Sequence, residues 1–286
     1  FGYLGTYLSH LRSGKVDGRA EPSVERPRAG TVLADAGHGF AHPAFDRASP
    51  VLVAAARETG TATLAIRRSY SIGVVGHPVE DIAAEGLIAL AFTNSPANMA
   101  PWGGRKPLFG TNPLAFAAPR AGKPPLVIDL ATTQVAKVTL TAAARRGGPL
   151  PEGWAFDAEG RPTTDPAAAL AGSMAPFGGA KGAMLALIVE ILAAGLAGAA
   201  FSKDASPYAR ADGPPPGVGQ CIIAFDPSAF SPDFPERIEG LFAAIAAQDG
   251  ARLPGDRRLS ARMTARAHGV DVDPELLAQI EEISAA

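Results

Sequence analysis

The sequence predicts an α/β fold in which a mixed sheet is covered by helices. Three observations carry this prediction. Strand-like alternation and helix-like spacing take turns between residues 31 and 93, a β-α-β rhythm. The composition, 47% hydrophobic and 19% charged over 286 residues, is that of a globular chain with room for one large domain or two smaller ones. A Rossmann-type G-x-G-x-x-G between a strand and a helix is absent.

Taken in order, residues 1–12 read as a short helix with Leu4, Leu8 and Leu11 on one face. Residues 13–28 are polar with Gly and Pro and read as a loop. Residues 31–36 alternate like a strand, 43–59 have helical spacing and stop at Gly60, and 61–66 form the next strand. A helix over 78–86 and a strand over 87–93 follow, then a long Pro- and Gly-rich loop over 94–110. Strands are expected at 114–118 and 126–130, around a turn over 119–125. A helix over 134–146 stops at Gly147 and Gly148, and 149–172 reads as mostly irregular. Residues 181–196 form the central apolar helix, and 202–219, with three consecutive prolines, read as a flexible loop. A strand over 221–225, a helix over 235–248, a basic turn over 252–258 and an amphipathic helix over 274–283 complete the chain.

Composition also excludes several function classes. The formal net charge of -2 gives no electrostatic reason to expect nucleic acid or an anionic membrane surface. The one cysteine, Cys221, has no partner for an internal disulfide, which fits a reducing, cytoplasmic setting. The most apolar stretch, residues 183–200, is broken by Glu190, Gly195 and Gly198 and reads as a buried helix, not a membrane span. No basic segment followed by an apolar core opens the chain, so a signal peptide is not expected. Phe1 leads directly into a helix-like run, which reads as a shortened chain. His10, His38, His42, His77 and His268 lack paired metal-ligand spacing, there is no C-x-x-C, and no metal site is expected. Neither a phosphate-binding G-x-x-x-x-G-K-[ST] nor a nucleophile-bearing G-x-S-x-G occurs.

Four rigid glycine-rich turns remain as candidates for chemistry. Ser69-Tyr70-Ser71-Ile72-Gly73-Val74-Val75-Gly76-His77-Pro78 joins a strand to a helix, and its glycines Gly73 and Gly76 allow close approach of backbone to a ligand. Alone, it reads first as an ordinary strand-to-helix turn. Residues 94–113 set Asn94, Ser95, Thr111 and Asn112 among Pro and Gly and read either as a pocket lining whose polar groups orient a carboxylate or an amide or as a long structured loop, with the first slightly ahead because a loop of this length is more often functional than idle. Residues 176–182, PFGGAKG, place Lys181 at a helix start, either as an anion site or as a solvated cap. Residues 252–258, RLPGDRR, set three arginines on a Pro-Gly turn. They suit a phosphate, although alone they read first as a solvated basic turn.

Together these segments resemble the malate/L-lactate dehydrogenase family, which includes Δ1-piperideine-2-carboxylate and Δ1-pyrroline-2-carboxylate reductases. The resemblance runs from about residue 11 to residue 269. It is carried by MAPWGGRKPLFGTNPLAFAAP (99–119), VIDLATTQVA (127–136), LPEGWAFDAEGRPTTDP (150–166), PFGGAKG (176–182) and RLPGDRR (252–258). The resemblance implies a non-Rossmann, largely antiparallel mixed sheet that binds NADPH or NADH, and a homodimer. It implies a sheet domain over 61–199 for the dinucleotide, with 1–60 and 200–286 forming a helical, catalytic-side portion. Carried over by motif, Ser71, Ile72, Gly73, Val74, Val75, Asp129, Leu130, Ala131, Ala180, Lys181, Arg257 and Arg258 meet the cofactor, and Thr111 meets the substrate.

The sequence departs from the family at its acid-base half. The family's S-H-G-x-x-R segment, which supplies the acid histidine and a substrate arginine, does not occur in these 286 residues. Aligning residues 7–11 with the helix after that motif puts the histidine before Phe1 and the arginine near Tyr3. Where relatives often carry R-G and then an acidic residue, this chain reads Lys137-Val138-Thr139, and where some carry histidine before Lys181 it has Ala180. The resemblance implies an NAD(P)H-dependent reductase of a small 2-imino or 2-oxo acid, by hydride transfer to C2. The alternatives are a 2-hydroxy acid dehydrogenase acting on a malate, lactate or ureidoglycolate type of substrate, and a shortened remnant that still binds dinucleotide without catalysis.

Overall fold

The computed structural model describes residues 3–284, so residues 1 and 2 of the first expected helix lie outside the described residues. The elements in chain order are α1 (Leu4–Ser13), β1 (Ser23–Arg28), β2 (Thr31–Asp35), α2 (Ala41–Thr59), β3 (Thr61–Ser69), α3 (Gly76–Ala84), β4 (Ile88–Thr93), β5 (Leu114–Arg120) and β6 (Lys123–Leu130). There follow α4 (Lys137–Arg146), β7 (Ala155–Phe156), β8 (Pro162–Thr163), α5 (Pro166–Ala171), β9 (Ser173–Met174), α6 (Ala180–Glu190) with a π-helical continuation (Ile191–Leu196), β10 (Val218–Phe225), α7 (Phe234–Ala246), α8 (Asp256–His268) and α9 (Pro274–Ser284).

Seven strands form the main sheet in the order β1-β2-β3-β10-β4-β5-β6. Only β2 and β3 pair in parallel, so the sheet is mixed and largely antiparallel, as the sequence resemblance implied. The β2-α2-β3-α3-β4 rhythm is present, but β10 inserts between β3 and β4 and pairs antiparallel with both. The sheet therefore takes strands from 1–60, 61–199 and 200–286 alike.

One face of the sheet is covered by α2 and α3. Their Leu52, Val53, Val79 and Ile82 pack with Leu64, Ile66 and Ile222 in the main core. The helix α2 stops at Gly60 in the left-handed region (φ 77°), so the chain turns directly into β3. Against the other face, Val189 and Ala193 pack on Phe92 and Cys221. At the far edge, Phe242 of α7 packs with Leu126 and Leu253. The segment read as irregular, 149–172, holds β7, β8 and α5. With β9 and α4 they build a small satellite core around Leu140, Leu150, Ala155, Ala169 and Met174.

Three local expectations are corrected. Residues 23–28, read as loop, are an edge strand. All but one of its residues are exposed, so it lacks the apolar alternation that marks a strand, and its Pro27 is tolerated because it sits at an edge. The turn expected over 119–125 is only Ala121-Gly122, because β5 and β6 zip together as far as Arg120 and Lys123. The basic turn over 252–258 ends early, and Asp256, Arg257 and Arg258 are the first turn of α8. No helix among the described residues is long and apolar enough to cross a membrane.

Candidate functional site

The pairing directions fix where the site lies. Because β3 and β4 both oppose β10, and β4 and β6 both oppose β5, the strands β2, β3, β4 and β6 all point the same way. Their carboxyl ends share one edge of the sheet, and the chain leaves them through residues 36–40, 70–75, 94–113 and 131–136. Open sheets in α/β proteins bind ligands at such an edge.

At this edge the Ser71 turn, Asp129 and Arg258 converge. The Ser71 hydroxyl accepts the Gly73 amide at 3.1 Å and bends the chain, and Gly73 adopts φ 63°. The Gly76 amide at the start of α3 donates to Asp129 Oδ2 at 2.7 Å. A Cβ on Gly76 would stand 3.1 Å from that oxygen and 3.3 Å from Val127, so glycine permits the approach. Burial raises the pKa of Asp129, opposed by the Gly76 amide and by Arg258. Arg258, in the first turn of α8, has a buried Nε with no acceptor among the described residues. A buried guanidinium N–H without a partner suits an anionic ligand at this point. Beside it a groove of about 450 Å3 is lined by Arg252, Leu253, Pro254, Gly255, Arg257 and Arg258.

The turn does not offer all its side chains. Ile72 and Val75 are buried in the main core, so only their backbone can meet a ligand, whereas Val74 is 63% exposed. On β6, Leu130 is also exposed at the rim, next to Asp129.

Beyond β6 the chain is stitched between the two remaining candidate turns. Thr132 donates its amide and its hydroxyl to the Thr111 carbonyl, each at 2.9 Å, and its own carbonyl accepts the Phe177 amide at 3.0 Å. Gln134 donates to the Ala175 carbonyl at 2.8 Å. This places Thr111, Ala131 and the opening of α6, with Ala180 and exposed Lys181, along one continuous rim. The exposed Trp102 ring from the long loop covers Gly179, 3.2 Å from where a Cβ would stand.

Two of the loop's polar groups do something other than line a pocket. Asn94 and Asn112 are buried. Asn94 donates to the Ala200 carbonyl and accepts the Gly219 amide, each at 2.9 Å. Asn112 donates to Glu190 Oε2 at 2.7 Å and to the Ala186 carbonyl at 3.0 Å. Glu190 also accepts the Ser202 amide and hydroxyl, each at 2.6 Å. The sequence showed Glu190 only as a break in an apolar run. It is in fact the buried acceptor that fastens the loop to α6 and to residue 202.

A second feature invisible in the sequence is an aromatic cluster. All four tyrosines of the chain, Tyr3, Tyr7, Tyr70 and Tyr208, meet beside the Ser71 turn together with Phe40 and His10. Tyr70 is at the centre, with ring centroids 5.2–5.7 Å from Tyr208, Phe40, His10 and Tyr7. Its hydroxyl lies 2.5 Å from His10 Nδ1, and its pKa is raised by burial. Burial, and then the Lys15 charge, lowers the His10 pKa. No cluster of metal-ligating groups occurs among the described residues.

Comparison with known proteins agrees with this geometry. The malate/L-lactate dehydrogenase family model matches residues 1–281. The (2R)-3-sulfolactate dehydrogenase (NADP(+)) of Chromohalobacter salexigens is 53% identical over 91% of this chain and 78% of its own length. The Delta(1)-pyrroline-2-carboxylate reductase of Pseudomonas fluorescens is 44% identical over 94% of this chain and 81% of its own. The crystal structure of delta1-piperideine-2-carboxylate reductase from Pseudomonas syringae superposes with a TM-score of 0.90 at 43% identity, over 98% of this chain and 85% of that one. The chain belongs to the malate/L-lactate dehydrogenase family of NAD(P)-dependent oxidoreductases.

Proposed function

We propose that the protein transfers hydride between NADPH and C2 of a small acid, interconverting a 2-oxo and a 2-hydroxy acid. The observation that carries this reading is the convergence of the Ser71 turn, Asp129 and the unpartnered Arg258 Nε at the carboxyl edge of the sheet. The 53% identity to a sulfolactate dehydrogenase favours a hydroxy acid, and the 44% identity to a pyrroline carboxylate reductase supports reduction of a cyclic imino acid as the second reading.

In this reading the bound dinucleotide supplies the hydride. Arg258 and Lys181 hold its phosphates beside the Ser71–Val75 turn. Arg252, Arg257 and Arg258 around their groove favour NADPH over NADH, since guanidinium groups suit a 2′-phosphate. Leu130 and Ala131 give the nicotinamide side an apolar support, and Thr111 orients the acid. The proton donor belongs to the family's S-H-G-x-x-R segment, which residues 1–286 do not contain, and His10 is not assigned that role because Tyr70 occupies its Nδ1. We also infer a homodimer closed through α6. Met184, Leu187, Ile188 and Ile191 recur at helical spacing on an exposed face that a second copy would cover.

The test is steady-state kinetics with NADPH and NADH on a panel of 2-oxo, 2-hydroxy and cyclic 2-imino acids, using this chain and a form extended at its N-terminus by the family's segment. The reading expects the extended form to turn over a 2-oxo acid with NADPH and the present chain to bind NADPH but run about 10²–10⁴-fold slower, the usual cost of a lost general acid. Turnover of imino acids alone would move the assignment to the second reading. Dinucleotide binding with no turnover in either form would leave a non-catalytic binding protein.

A further inference from the structure

Lys15 is a buried lysine with no carboxylate on its ammonium. Its residue is 1% exposed, yet its Nζ donates to the carbonyls of Pro207 at 2.7 Å, Arg210 at 2.7 Å and Asp212 at 3.1 Å. An ammonium has three donors and no acceptor, so these three carbonyls satisfy it completely. Burying a charge costs free energy, and burial pushes the Lys15 pKa down, so a purely space-filling role would be better served by an apolar residue. Arg210 and Asp212, whose charges act on the ammonium in opposite directions, pair with each other at 2.6 Å, and backbone carbonyls are the groups that bond it.

What the ammonium holds is a loop without regular structure, residues 202–217, which carries Tyr208. The Tyr208 hydroxyl donates to the Tyr70 carbonyl at 2.5 Å, and its ring packs on that of Tyr70 at 5.2 Å. Tyr70 is the residue immediately before the Ser71 turn. From the other side, Lys15 is itself fixed to the first helix, because its amide donates to the His10 carbonyl at 3.0 Å. His10 and Tyr7 of α1 both pack on the Tyr70 ring. Lys15 therefore joins the two segments, α1 and the 207–212 loop, that grip Tyr70 from opposite directions.

We propose that Lys15 is a positioning residue for the dinucleotide site: by clasping the 207–212 loop it seats Tyr208 on the Tyr70 carbonyl and so sets the Ser71–Gly73 turn. The proposal rests on the reading of that turn as cofactor-binding and adds a residue with no place of its own at the ligand. It acts through one intermediate, so its effect on the dinucleotide and that of Tyr208 are coupled.

The experiment is a double-mutant cycle read by NADPH titration, with Lys15→Met, Tyr208→Phe and the double variant. Tyr208→Phe keeps the ring and removes one hydrogen bond, so it tests the clasp even where Lys15→Met fails to fold. Lys15→Met is expected to weaken NADPH about tenfold and Tyr208→Phe several-fold, with the double variant no weaker than about the worse single one, as for residues acting on one element. A residue that only stabilises the fold would move the unfolding temperature without this coupling in the dissociation constant. Wild-type NADPH affinity in Tyr208→Phe, or fully additive losses in the cycle, overturns the proposal. A wild-type chain that binds no dinucleotide overturns instead the cofactor reading on which the proposal rests.

Discussion

The Gly76 amide and the Asp129 carboxylate, joined at 2.7 Å, tie the start of α3 to the end of β6 and close one side of the candidate dinucleotide site. Asp129 sits there at a cost, since burial raises its pKa above the ordinary carboxylate value. A raised folded-state pKa means that its stabilising contribution is complete at low pH and is lost as pH rises through the folded value. Asp129→Asn keeps an acceptor for Gly76 and removes the buried charge. Its unfolding temperature at pH 7 is expected to equal or exceed that of the wild type while NADPH affinity falls, which calorimetry and a fluorescence titration would measure side by side. A clear loss of stability at neutral pH would show that the carboxylate is there for the fold.

Lys181 is exposed at the first turn of α6, where the free amides already favour an anion. Lys181→Ala is expected to leave the unfolding temperature unchanged and to weaken NADPH by about tenfold or more, the scale of one charged hydrogen bond. Raising the salt should shrink the difference between wild type and variant, because an exposed charge is screened. Equal dissociation constants at low salt would make Lys181 a solvated helix-end residue.

Glu190 gives the opposite pattern. Its carboxylate accepts from Asn112 and twice from Ser202 within a buried network. Glu190→Leu strands those donors and is expected to lower the unfolding free energy by about 3 kcal/mol or more, with Glu190→Gln less damaging. Urea denaturation followed by circular dichroism reads both, and a Glu190→Leu variant as stable as wild type would remove the network from the account.

At the far edge of the sheet, Arg120 and then Lys123 hold the Glu239 carboxyl down to about 2. A depressed folded-state pKa contributes stability that is present above the unfolded value near 4.5 and is lost as pH falls toward 2. Glu239→Gln is therefore expected to lower stability above about pH 4.5, to flatten the acid limb of the stability curve between those limits, and to match the wild type near pH 2. An unchanged acid limb would contradict the pairing.

The apolar face of α6 and its π-helical continuation is the surface expected to close a dimer. Leu187→Glu and Ile191→Lys, both at exposed positions, are expected to convert a dimer into a monomer in light scattering at micromolar concentration. A wild-type chain that is already monomeric, or variants that remain dimers, would place the interface elsewhere or dispose of it.

Much of the scaffold was legible in the sequence because burial follows a period. The helix α2 and the strands β2 and β4 each bury one face, and that repetition is written in their residues. The helix α8 was not legible because it buries no residue at all, so Asp256–His268 carries no apolar stripe to read. The insertion of β10 between β3 and β4 is a long-range pairing that no local pattern records. The candidate site divides in the same way. Ser71, Asp129, Lys181 and Arg258 were named through motif resemblance, and the fold brings Ser71, Asp129 and Arg258 together beside Gly76. Asn94 and Asn112 were read as pocket groups because polar residues in a Pro- and Gly-rich loop look available. Their burial depends on Glu190 and Ala200, which lie far along the chain. The meeting of Tyr3, Tyr7, Tyr70 and Tyr208 left no trace in spacing or composition.

The most direct test of the account is the titration of NADPH into the wild-type chain and into Arg258→Ala, followed by cofactor fluorescence. Saturable binding to the wild type is expected, with a dissociation constant raised at least about tenfold in the variant, since the phosphate would lose the Nε donor along with the guanidinium charge. Equal affinity in the two proteins, or no binding to the wild type, would contradict the placement of the dinucleotide between the Ser71 turn, Asp129 and Arg258.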